Sequence, residues 1–364
     1  MTEQLKLKLN DSKATRWGAL VIVAFTMMAA YYVNDVVAPL KTMLETDLAW
    51  SSTDFGFFTG GYSFLNVFFL MLIWGGLILD RFGIRFTGKL ATILMVGGTA
   101  LEYYAMTGLA GTDATLFGIN EIFGYKTGVF VAFAGYSIFG VGAEVAGITV
   151  SKIIAKWFKG KELATAMGVQ VALARIGSQA GYAVAIPLAR AFGISTPVLL
   201  GLVLLLGGMI AFFVFTVMDK KLDKQMEAAA IAAGTEDEEE KFSFKDVKNI
   251  LVNPGFWLIA LLCVLFYSCV FPFQKFASEL MIIKYGINEN VAGTFAGLPA
   301  LGALILTPVF GGFIDKRGKS ASIMLLGSAM LICVHFIYAI PDINYWLVAI
   351  VLMIILGIAF SLVP

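Results

Sequence analysis

Charged residues are scarce in this sequence. Asp, Glu, Lys and Arg make up 14% of its 364 residues, whereas 59% are hydrophobic, and soluble domains carry about a quarter charged residues. The mean hydropathy of +0.85 is that of a chain whose apolar excess is general. This composition argues against a disordered or collagen-like chain and against an ordinary soluble enzyme. We therefore expect a membrane protein.

Cysteine and histidine are also rare. Cys263, Cys269 and Cys333 are odd in number and lie in apolar runs, which predicts buried free thiols and no disulfide framework or CxxC metal pattern. His335 is the only histidine, so we expect a packed neutral ring and no metal site. Because no Ser/His/Asp arrangement, paired-carboxylate site or ATP-binding motif occurs either, we expect no enzymatic activity and no cofactor.

Long apolar segments, by contrast, recur along the whole chain. A helix that crosses a bilayer needs roughly 20 mostly apolar residues, and ten segments meet that requirement. They lie near 17–40, 54–79, 87–107, 126–150, 163–187, 195–218, 255–281, 291–314, 320–340 and 344–364. The first is too long for a signal peptide. The sequence therefore predicts an all-α polytopic membrane protein.

The Lys and Arg residues are distributed unevenly between these segments. With the N-terminus placed in the cytoplasm, 20 of the 26 fall on the cytoplasmic side and four on the opposite side. Polytopic proteins show this bias, so we expect a cytoplasmic N-terminus. The remaining two, Arg175 and Lys275, lie within spans. Glu279 follows Lys275 by four residues, and we expect an exposed pair at the end of span 7.

A charged stretch divides the spans into two groups. It covers residues 219–249 and contains the acidic run 236–240, which is typical of a solvated linker. The sequence thus predicts an N-terminal six-helix bundle over 1–218, a cytoplasmic linker over 219–249 and a C-terminal bundle over 250–364 that contains spans 7–10.

One short motif occurs at the same place in each group, after spans 2 and 8. Both copies have the form G-x-x-x-D-[R/K]-x-G-x-[R/K] or a one-residue contraction of it. The residues are Gly76, Asp80, Arg81, Gly83 and Arg85 in the first copy, and Gly312, Asp315, Lys316 and Gly318 in the second. Glycine permits close helix packing in lipid, and the Asp caps or pairs with a neighbouring helix end. One copy is typical of an ordinary turn, but two equivalent copies indicate an internal repeat.

This repeated loop resembles the signature loop of the major facilitator superfamily. The resemblance implies two six-helix bundles related by pseudo-twofold symmetry, with substrate bound between them at mid-membrane. Ten spans are two fewer than that fold has, and residues 361–364 stop inside an apolar run. We therefore expect a C-terminal bundle that is truncated after about the tenth span, in the protein or in the sequence alone.

Two residues of opposite charge lie deep in adjacent spans. Glu144 lies eight residues from Lys152 at the inner end of span 4, about 12 Å deep at 1.5 Å per residue. Arg175 lies 14 residues from Lys161, about 21 Å deep by the same rule. Charges at such depth are functional candidates. One interpretation is a structural ion pair between the two residues. The other is a binding site in which Arg175 binds the carboxylate and Glu144 binds the ammonium group of a zwitterion. The two interpretations are compatible if the residues pair with each other only while no substrate is bound.

A narrower resemblance covers essentially the whole chain. Its most specific parts are the block WFKGKEL at 157–163 and the run ARIGS at 174–178; residues 32–40, 62–66, 256–259, 271–273 and His335 also fit. In these residues the chain resembles the lysosomal dipeptide uniporter family. That family holds the two ends of a dipeptide with an acidic residue in span 4 and an arginine in span 5, and Glu144 and Arg175 occupy those positions. The resemblance thus implies a dipeptide substrate.

Further polar residues are candidates for the wall of this site. They are Tyr32, Asn34, Asp35, Tyr62 and Tyr136. Asn34 and Asp35 end the apolar part of span 1 and are alternatively a solvated pair at a helix end. The tyrosines combine an apolar ring with a polar tip, but tyrosines are also common at membrane interfaces.

Together these features predict a secondary transporter that moves dipeptides or similar small zwitterions by alternating access. Uniport and proton coupling are both open: Asp35 and Glu144 are able to carry a proton, while the family resemblance favours uniport. The alternative functions are a transporter of organic anions or sugars and, in a different class, a non-transporting membrane scaffold or receptor.

The expected partners are a small zwitterionic solute and the lipid bilayer. We expect no nucleic-acid partner, and the sequence leaves an accessory subunit open. The first 16 residues contain no acidic dileucine sorting signal, and the outward loops contain no glycosylation sequon. These observations favour a bacterial cytoplasmic membrane over a lysosomal one.

Overall fold

The apolar segments form helices that pack into a bundle. The computed structural model describes residues 8–111, 115–233, 249–317 and 320–363. Its helices are α1 (Lys13–Val36), α2 (Lys41–Asp47), α3 (Ser52–Phe68), α4 (Met71–Thr107), α5 (Thr127–Trp157), α6 (Leu163–Phe192), α7 (Thr196–Ala233), α8 (Pro254–Ile283), α9 (Glu289–Ala296), α10 (Leu298–Arg317), α11 (Ser320–Ala339) and α12 (Trp346–Leu362). Short 3-10 helices lie at Leu9–Asp11 and Ala38–Leu40, and the strands β1 (Glu121–Ile122) and β2 (Tyr125–Lys126) pair antiparallel before α5.

By length and composition alone, six helical segments of the described residues are suited to crossing a membrane, and the bent pair α3 and α4 adds a seventh. Three features account for the difference from the ten predicted spans. Helix α4 covers parts of two spans, and Gly83 interrupts its helical backbone with φ 74° and ψ 173°, a conformation essentially restricted to glycine. Helix α6 carries several polar residues, and α12 has only 17 residues.

Helices α4 and α5 pack backbone against backbone. A Cβ atom added to Gly98 of α4 would lie 2.4 Å from the carbonyl oxygen of Gly135 and 2.4 Å from the amide nitrogen of Phe139. Small residues permit such an approach between membrane helices. Near this contact, Glu102 of α4 and Tyr136 of α5 are both fully buried.

Buried apolar side chains form two clusters in the described residues. One is built from α1 to α7, and the other is built mainly from α8 to α12, with Ala38 and Tyr182 added from the first half of the chain. Two apolar cores agree with the predicted pair of bundles. The boundaries of those bundles, 1–218 and 250–364, stay a prediction.

The beginning of the predicted linker is helical. Helix α7 continues to Ala233, so residues 219–233 of the predicted linker extend this helix. Asp219 is fully buried, and its Oδ1 accepts hydrogen bonds from Lys156 Nζ at 2.8 Å and Trp157 Nε1 at 3.0 Å. The charged run thus contains a buried carboxylate that helices α5 and α7 share. Residues 234–248 lie outside the described residues.

The exposure of the three cysteines contradicts another expectation. All three are exposed, whereas their apolar surroundings had predicted buried thiols. A membrane helix turns part of its apolar surface outward, because lipid is as apolar as the protein interior, so an apolar run does not by itself indicate burial. His335 packs against Phe273 with ring centroids 4.9 Å apart, and its Nδ1 lies 2.9 Å from the carbonyl oxygen of Leu331.

Candidate functional site

A cavity of about 600 Å³ lies between five helices. Four of them, α1, α3, α5 and α6, belong to the N-terminal half of the chain, and the fifth, α8, belongs to the C-terminal half. The polar side chains on its wall include Tyr31, Asn34, Asp35, Tyr62, Glu144, Arg175, Gln274 and Lys275. The cavity therefore lies at the boundary between the halves and is faced by two carboxylates and two cations.

Glu144 is positioned by the contact between α3 and α5. A Cβ atom added to Gly140, one turn before Glu144, would lie 2.4 Å from the carbonyl oxygen of Tyr62, so the two helices approach closely here. The Tyr62 hydroxyl donates a hydrogen bond of 2.8 Å to Oε1 of Glu144. This hydrogen bond fixes the orientation of the carboxylate. In the part of the chain that the structure describes, Tyr62 is the one hydrogen-bond partner of this side chain.

Arg175 is held by aromatic rings. Its guanidinium carbon lies 5.8 Å from the ring centroid of Tyr31 and 5.1 Å from that of Phe360, which is within the range of cation–π contacts. Among the described residues it forms no salt bridge with a carboxylate. The ion pair between Glu144 and Arg175, one of the two interpretations of the sequence, is therefore not formed. The planar guanidinium has donors available for an anionic group.

Lys275 lies in the cavity wall and not in the exposed pair that we expected with Glu279. Its Nζ donates hydrogen bonds to the main-chain carbonyl of Asn34 at 2.5 Å and to the Tyr136 hydroxyl at 3.1 Å, and it lies 3.5 Å from Oδ1 of Asp35. The side chains of Lys275 and Asp35 are 16% and 14% exposed. This partly buried charge pair joins α8 to α1 across the boundary between the halves.

The three predicted tyrosines occupy different places. Tyr62 lines the cavity, but Tyr32 is buried between helices, and its hydroxyl donates to a main-chain carbonyl of the segment that begins α7, at 3.2 Å. Tyr31, which the sequence analysis missed, lines the cavity in its place. Tyr136 stands behind the wall, where its hydroxyl donates to the main-chain carbonyl of Asn34 at 2.7 Å. It thus positions the polar residues of α1 without lining the cavity.

The two halves are joined at one end of the bundle. We name this the far end, defined by Lys41, Arg190, Glu279 and Glu289. Lys41 is 2% exposed, and its Nζ lies 2.5 Å from Oε1 of Glu279 in α8, while Arg190 of α6 pairs with Glu289 of α9. Of the side chains that the structure describes, those that bond across the halves do so at this end or at the cavity itself.

The opposite end, which we name the tail end, is defined by residues 8–16 and 158–162. Here the first copy of the repeated motif binds within the N-terminal half: Asp80 pairs with Lys152 at 2.9 Å, and Arg85 pairs with Asp223 at 2.6 Å. Arg81 lies over the ring of Phe82. Gly76 and Gly83 have open space around them. The first copy thus fastens α4 to α5 and α7.

The second copy of the motif is described only in part. Gly312, Asp315 and Lys316 lie in the last turns of α10, and Gly318 lies outside the described residues. Its predicted role therefore stays a prediction.

Two carboxylates attach the N-terminal segment to the loop after α5. Arg16 binds Glu162 at 2.7 Å, and Lys161 binds Asp11 at 2.6 Å. The hydrogen bond from Arg16 holds the pKa of Glu162 below its ordinary value, and the hydrogen bond from Lys161 does the same for the pKa of Asp11.

Comparisons with known proteins agree with this architecture. The family model of the Major Facilitator Superfamily matches residues 19–364. The lysosomal dipeptide transporter MFSD1 of Homo sapiens is 27% identical over 363 residues, which cover 96% of this chain and 71% of that protein.

Two solved structures share the fold. A bacterial homologue of the human drug peptide transporters PepT1 and PepT2 matches with a TM-score of 0.64 at 12% identity, covering 96% of this chain and 82% of its own. The xylose transporter XylE from E. coli matches with a TM-score of 0.61 at 15% identity, covering 95% and 84%. The family match over nearly the whole chain, together with the apolar helices, makes this an integral multi-pass membrane protein that belongs to the major facilitator superfamily.

Proposed function

We propose that this chain is a secondary transporter that moves dipeptides or similar small zwitterions by alternating access. The observation that carries the proposal is the arrangement of Glu144 and Arg175. They present opposite charges to one cavity and are not paired with each other. A cavity of about 600 Å³ is also in the size range of small-molecule sites, roughly 300–1,000 Å³.

Each charged residue has a distinct role in this proposal. Arg175 binds the substrate carboxylate through its planar fork of donors, and Glu144, held by Tyr62, binds the ammonium group. Asp35 is already paired with Lys275, so it is not the first partner for a substrate ammonium. Apolar wall residues such as Met27, Phe271 and Phe276 provide surfaces that accept different substrate side chains.

The one-sided contacts between the halves support alternating access. In the described state, Lys41 and Glu279 close the far end, while the first motif copy holds α4, α5 and α7 together within one half. We propose that the bundles 1–218 and 250–364 rock as units about the cavity. Breaking the contact between Lys41 and Glu279 opens the far end.

The orientation and substrate class are part of the same proposal. The 20-to-4 distribution of Lys and Arg supports a cytoplasmic tail end, and the kind of membrane stays a prediction. The relatives' printed name, lysosomal dipeptide transporter, supports a dipeptide over a sugar. A sugar site is built mainly from amides and aromatic rings, and a site for a simple anion does not need Glu144.

Thermal stabilisation of the purified protein tests the substrate class. A ligand that binds the folded state raises the unfolding temperature in proportion to the logarithm of its concentration over Kd. We expect stabilisation by dipeptides, and little by free amino acids, sugars or dicarboxylates. Arg175→Ala should abolish it, because loss of a buried charge partner costs about 100-fold in affinity or more.

Lys13→Ala is the matched control, because it removes one positive charge from an exposed side chain at the tail end. It should respond to dipeptides as the unaltered protein does. Stabilisation by dipeptides that persists in Arg175→Ala would refute the proposed site. A response to sugars without any response to dipeptides would refute the substrate class.

A further inference from the structure

An exposed apolar loop between α4 and α5 has no role in the proposed substrate site. We name residues 115–126 the aromatic loop. It contains two tight turns, at 116–119 and 122–125, each closed by a pair of residues that face each other antiparallel. Phe117 and Phe123 occupy the first central position of the two turns, and their side chains are 95% and 88% exposed. The loop thus presents two aromatic tips to its surroundings.

Both tips have a backbone conformation that phenylalanine rarely adopts. Phe117 has a φ of 54° and Phe123 a φ of 53°, and the glycine that follows each of them has a φ of 80° or 81°. Two successive residues with positive φ are typical of the type I′ turn, in which Asn, Asp and Gly are preferred. A bulky side chain is disfavoured at this φ. Its occurrence in both turns indicates that the aromatic rings serve a contact outside the chain.

The aromatic loop is fastened to the outer ends of two helices. The Nζ atom of Lys126 donates a hydrogen bond to the main-chain carbonyl of Ala49, which lies between α2 and α3 at the far end. The ring of Tyr125 stacks on that of Phe57 in α3, with the ring centroids 3.8 Å apart. Because Phe57 lies inside α3 and not at its first residue, the loop folds back along the helices.

The length of α5 indicates the depth of this loop. Its 31 residues extend over about 46 Å at 1.5 Å per residue, close to the roughly 40–45 Å of a bilayer with its headgroups. The first turn of α5 therefore lies at the headgroup level of the far-end leaflet. Phe123 packs against Phe130 of that turn with ring centroids 6.0 Å apart, so this tip lies at the same level.

A row of aromatic rings continues from Phe123 along the outer face of the helices. The ring of Phe130 lies 6.1 Å from that of Phe133, which lies 5.3 Å from that of Phe64 in α3. Phe64 and Phe68 are exposed on a segment suited to crossing a membrane, so lipid surrounds them. The tip is thus continuous with a lipid-facing surface, at the level where aromatic side chains favour the boundary between headgroups and acyl chains.

We propose that the aromatic loop is a membrane anchor, in which Phe117 and Phe123 insert into the boundary between headgroups and acyl chains of the far-end leaflet. The partner is the lipid bilayer, and the contact is apolar. Because the loop is fastened beside α3 and α5, it fixes the depth of the far end of the N-terminal half in the membrane. This inference does not depend on the proposed transport or its substrate.

A nitroxide label in phosphatidylcholine vesicles tests the depth of the loop. Asn120→Cys places the label at an exposed position between the two turns, in a background without the three native cysteines. Collisions with oxygen, which concentrates in lipid, are compared with collisions with a water-soluble nickel chelate. We expect the nickel collision rate to be severalfold lower than for a label at Thr46, an exposed far-end position outside the loop.

Phe117→Asn combined with Phe123→Asn separates the rings from the fold of the loop. Asn is favoured at positive φ, so both turns form in this double variant while the apolar tips are lost. We expect the nickel collision rate of the label at position 120 to rise to that at Thr46. The label is the same in both proteins, so its own affinity for lipid does not affect the comparison.

Three results would overturn the proposal. A nickel collision rate at position 120 equal to that at Thr46, with both phenylalanines present, would place the loop in water. A rate that stays low in the double variant would show that the rings do not hold the loop in lipid. A label shielded from oxygen and nickel alike would show that a second protein chain covers the loop in place of lipid.

Discussion

The hydroxyl of Tyr62 in α3 donates a 2.8 Å hydrogen bond to Oε1 of Glu144 in α5. Both side chains line the cavity, and the close approach of α3 to α5 at Gly140 fixes the distance between them. The hydroxyl of Tyr62 thus orients a carboxylate on the cavity wall, which prepares it for a cationic group.

Removing this hydroxyl should weaken dipeptide binding. A hydrogen bond to a charged group contributes roughly 1.5–3 kcal/mol, so we expect Tyr62→Phe to raise Kd by about tenfold or more, measured by isothermal titration calorimetry. Tyr104→Phe, an exposed tyrosine of α4 outside the cavity, is the control and should bind normally. An unchanged Kd in Tyr62→Phe would mean that Glu144 does not need this donor.

Blocking the substrate's amino group should reveal what Glu144 binds. N-acetylation removes the ammonium charge, and we expect it to raise the Kd of the unaltered protein by about tenfold or more. Glu144→Gln should bind the free dipeptide weakly and show little further loss on acetylation, because the two changes remove one interaction. Independent, additive losses in this cycle would contradict the assignment of Glu144.

Much of the fold follows from residue patterns that do not depend on packing. The ten apolar segments all fall on helices, and the repeated motif with its resemblance indicated the superfamily that the family match confirms. Sequence patterns fail where contacts with neighbouring helices decide whether a side chain is buried. The charges after residue 218 suggested solvent, yet Asp219 is buried because Lys156 and Arg85 neutralise it.

The candidate site likewise contains residues that the sequence predicts and residues that it misses. Glu144 and Arg175 were predicted as site residues because a charged side chain deep in an apolar span is energetically costly and therefore a functional candidate. Tyr31 was missed in favour of Tyr32, although Asn34 and Asp35 lie three and four positions after Tyr31 and share its helix face. Lys275 was misassigned because an i,i+4 partner on its own helix looked sufficient, and its true partners lie on α1 and α5.

The contact between Lys41 and Glu279 should control opening of the far end. Glu279→Gln removes the charge that α8 presents to a buried lysine, so we expect a population with a wider far end to increase by about fivefold to tenfold, which corresponds to 1.0–1.4 kcal/mol. Spin labels at the exposed positions Thr46 and Ile283, in a background without the three native cysteines, report this as a longer electron–electron distance.

Glu121→Gln provides the control, because it neutralises an exposed carboxylate in β1. It should leave the distance distribution unchanged. A distribution that is identical in Glu279→Gln and the unaltered protein would show that this ion pair does not hold the halves together.

Acid should release the N-terminal segment. The pKa values of Glu162 and Asp11 are lowered by Arg16 and Lys161, so their contribution is complete above the ordinary carboxyl pKa of about 4 and is lost as pH falls through the lowered values. We expect hydrogen exchange of residues 8–16 to accelerate only in that acid range. Glu162→Gln should show part of the acceleration at neutral pH, and protection that is independent of pH would contradict the role of these pairs.

The central claim is that dipeptides cross the membrane through the cavity that Arg175 and Glu144 face. Counterflow in proteoliposomes measures it most directly: labelled dipeptide is added outside vesicles loaded with unlabelled dipeptide. We expect rapid uptake by the unaltered protein and by Lys13→Ala, and uptake reduced about 100-fold in Arg175→Ala. Absence of uptake by the unaltered protein, or uptake by Arg175→Ala at the same rate, would contradict the claim.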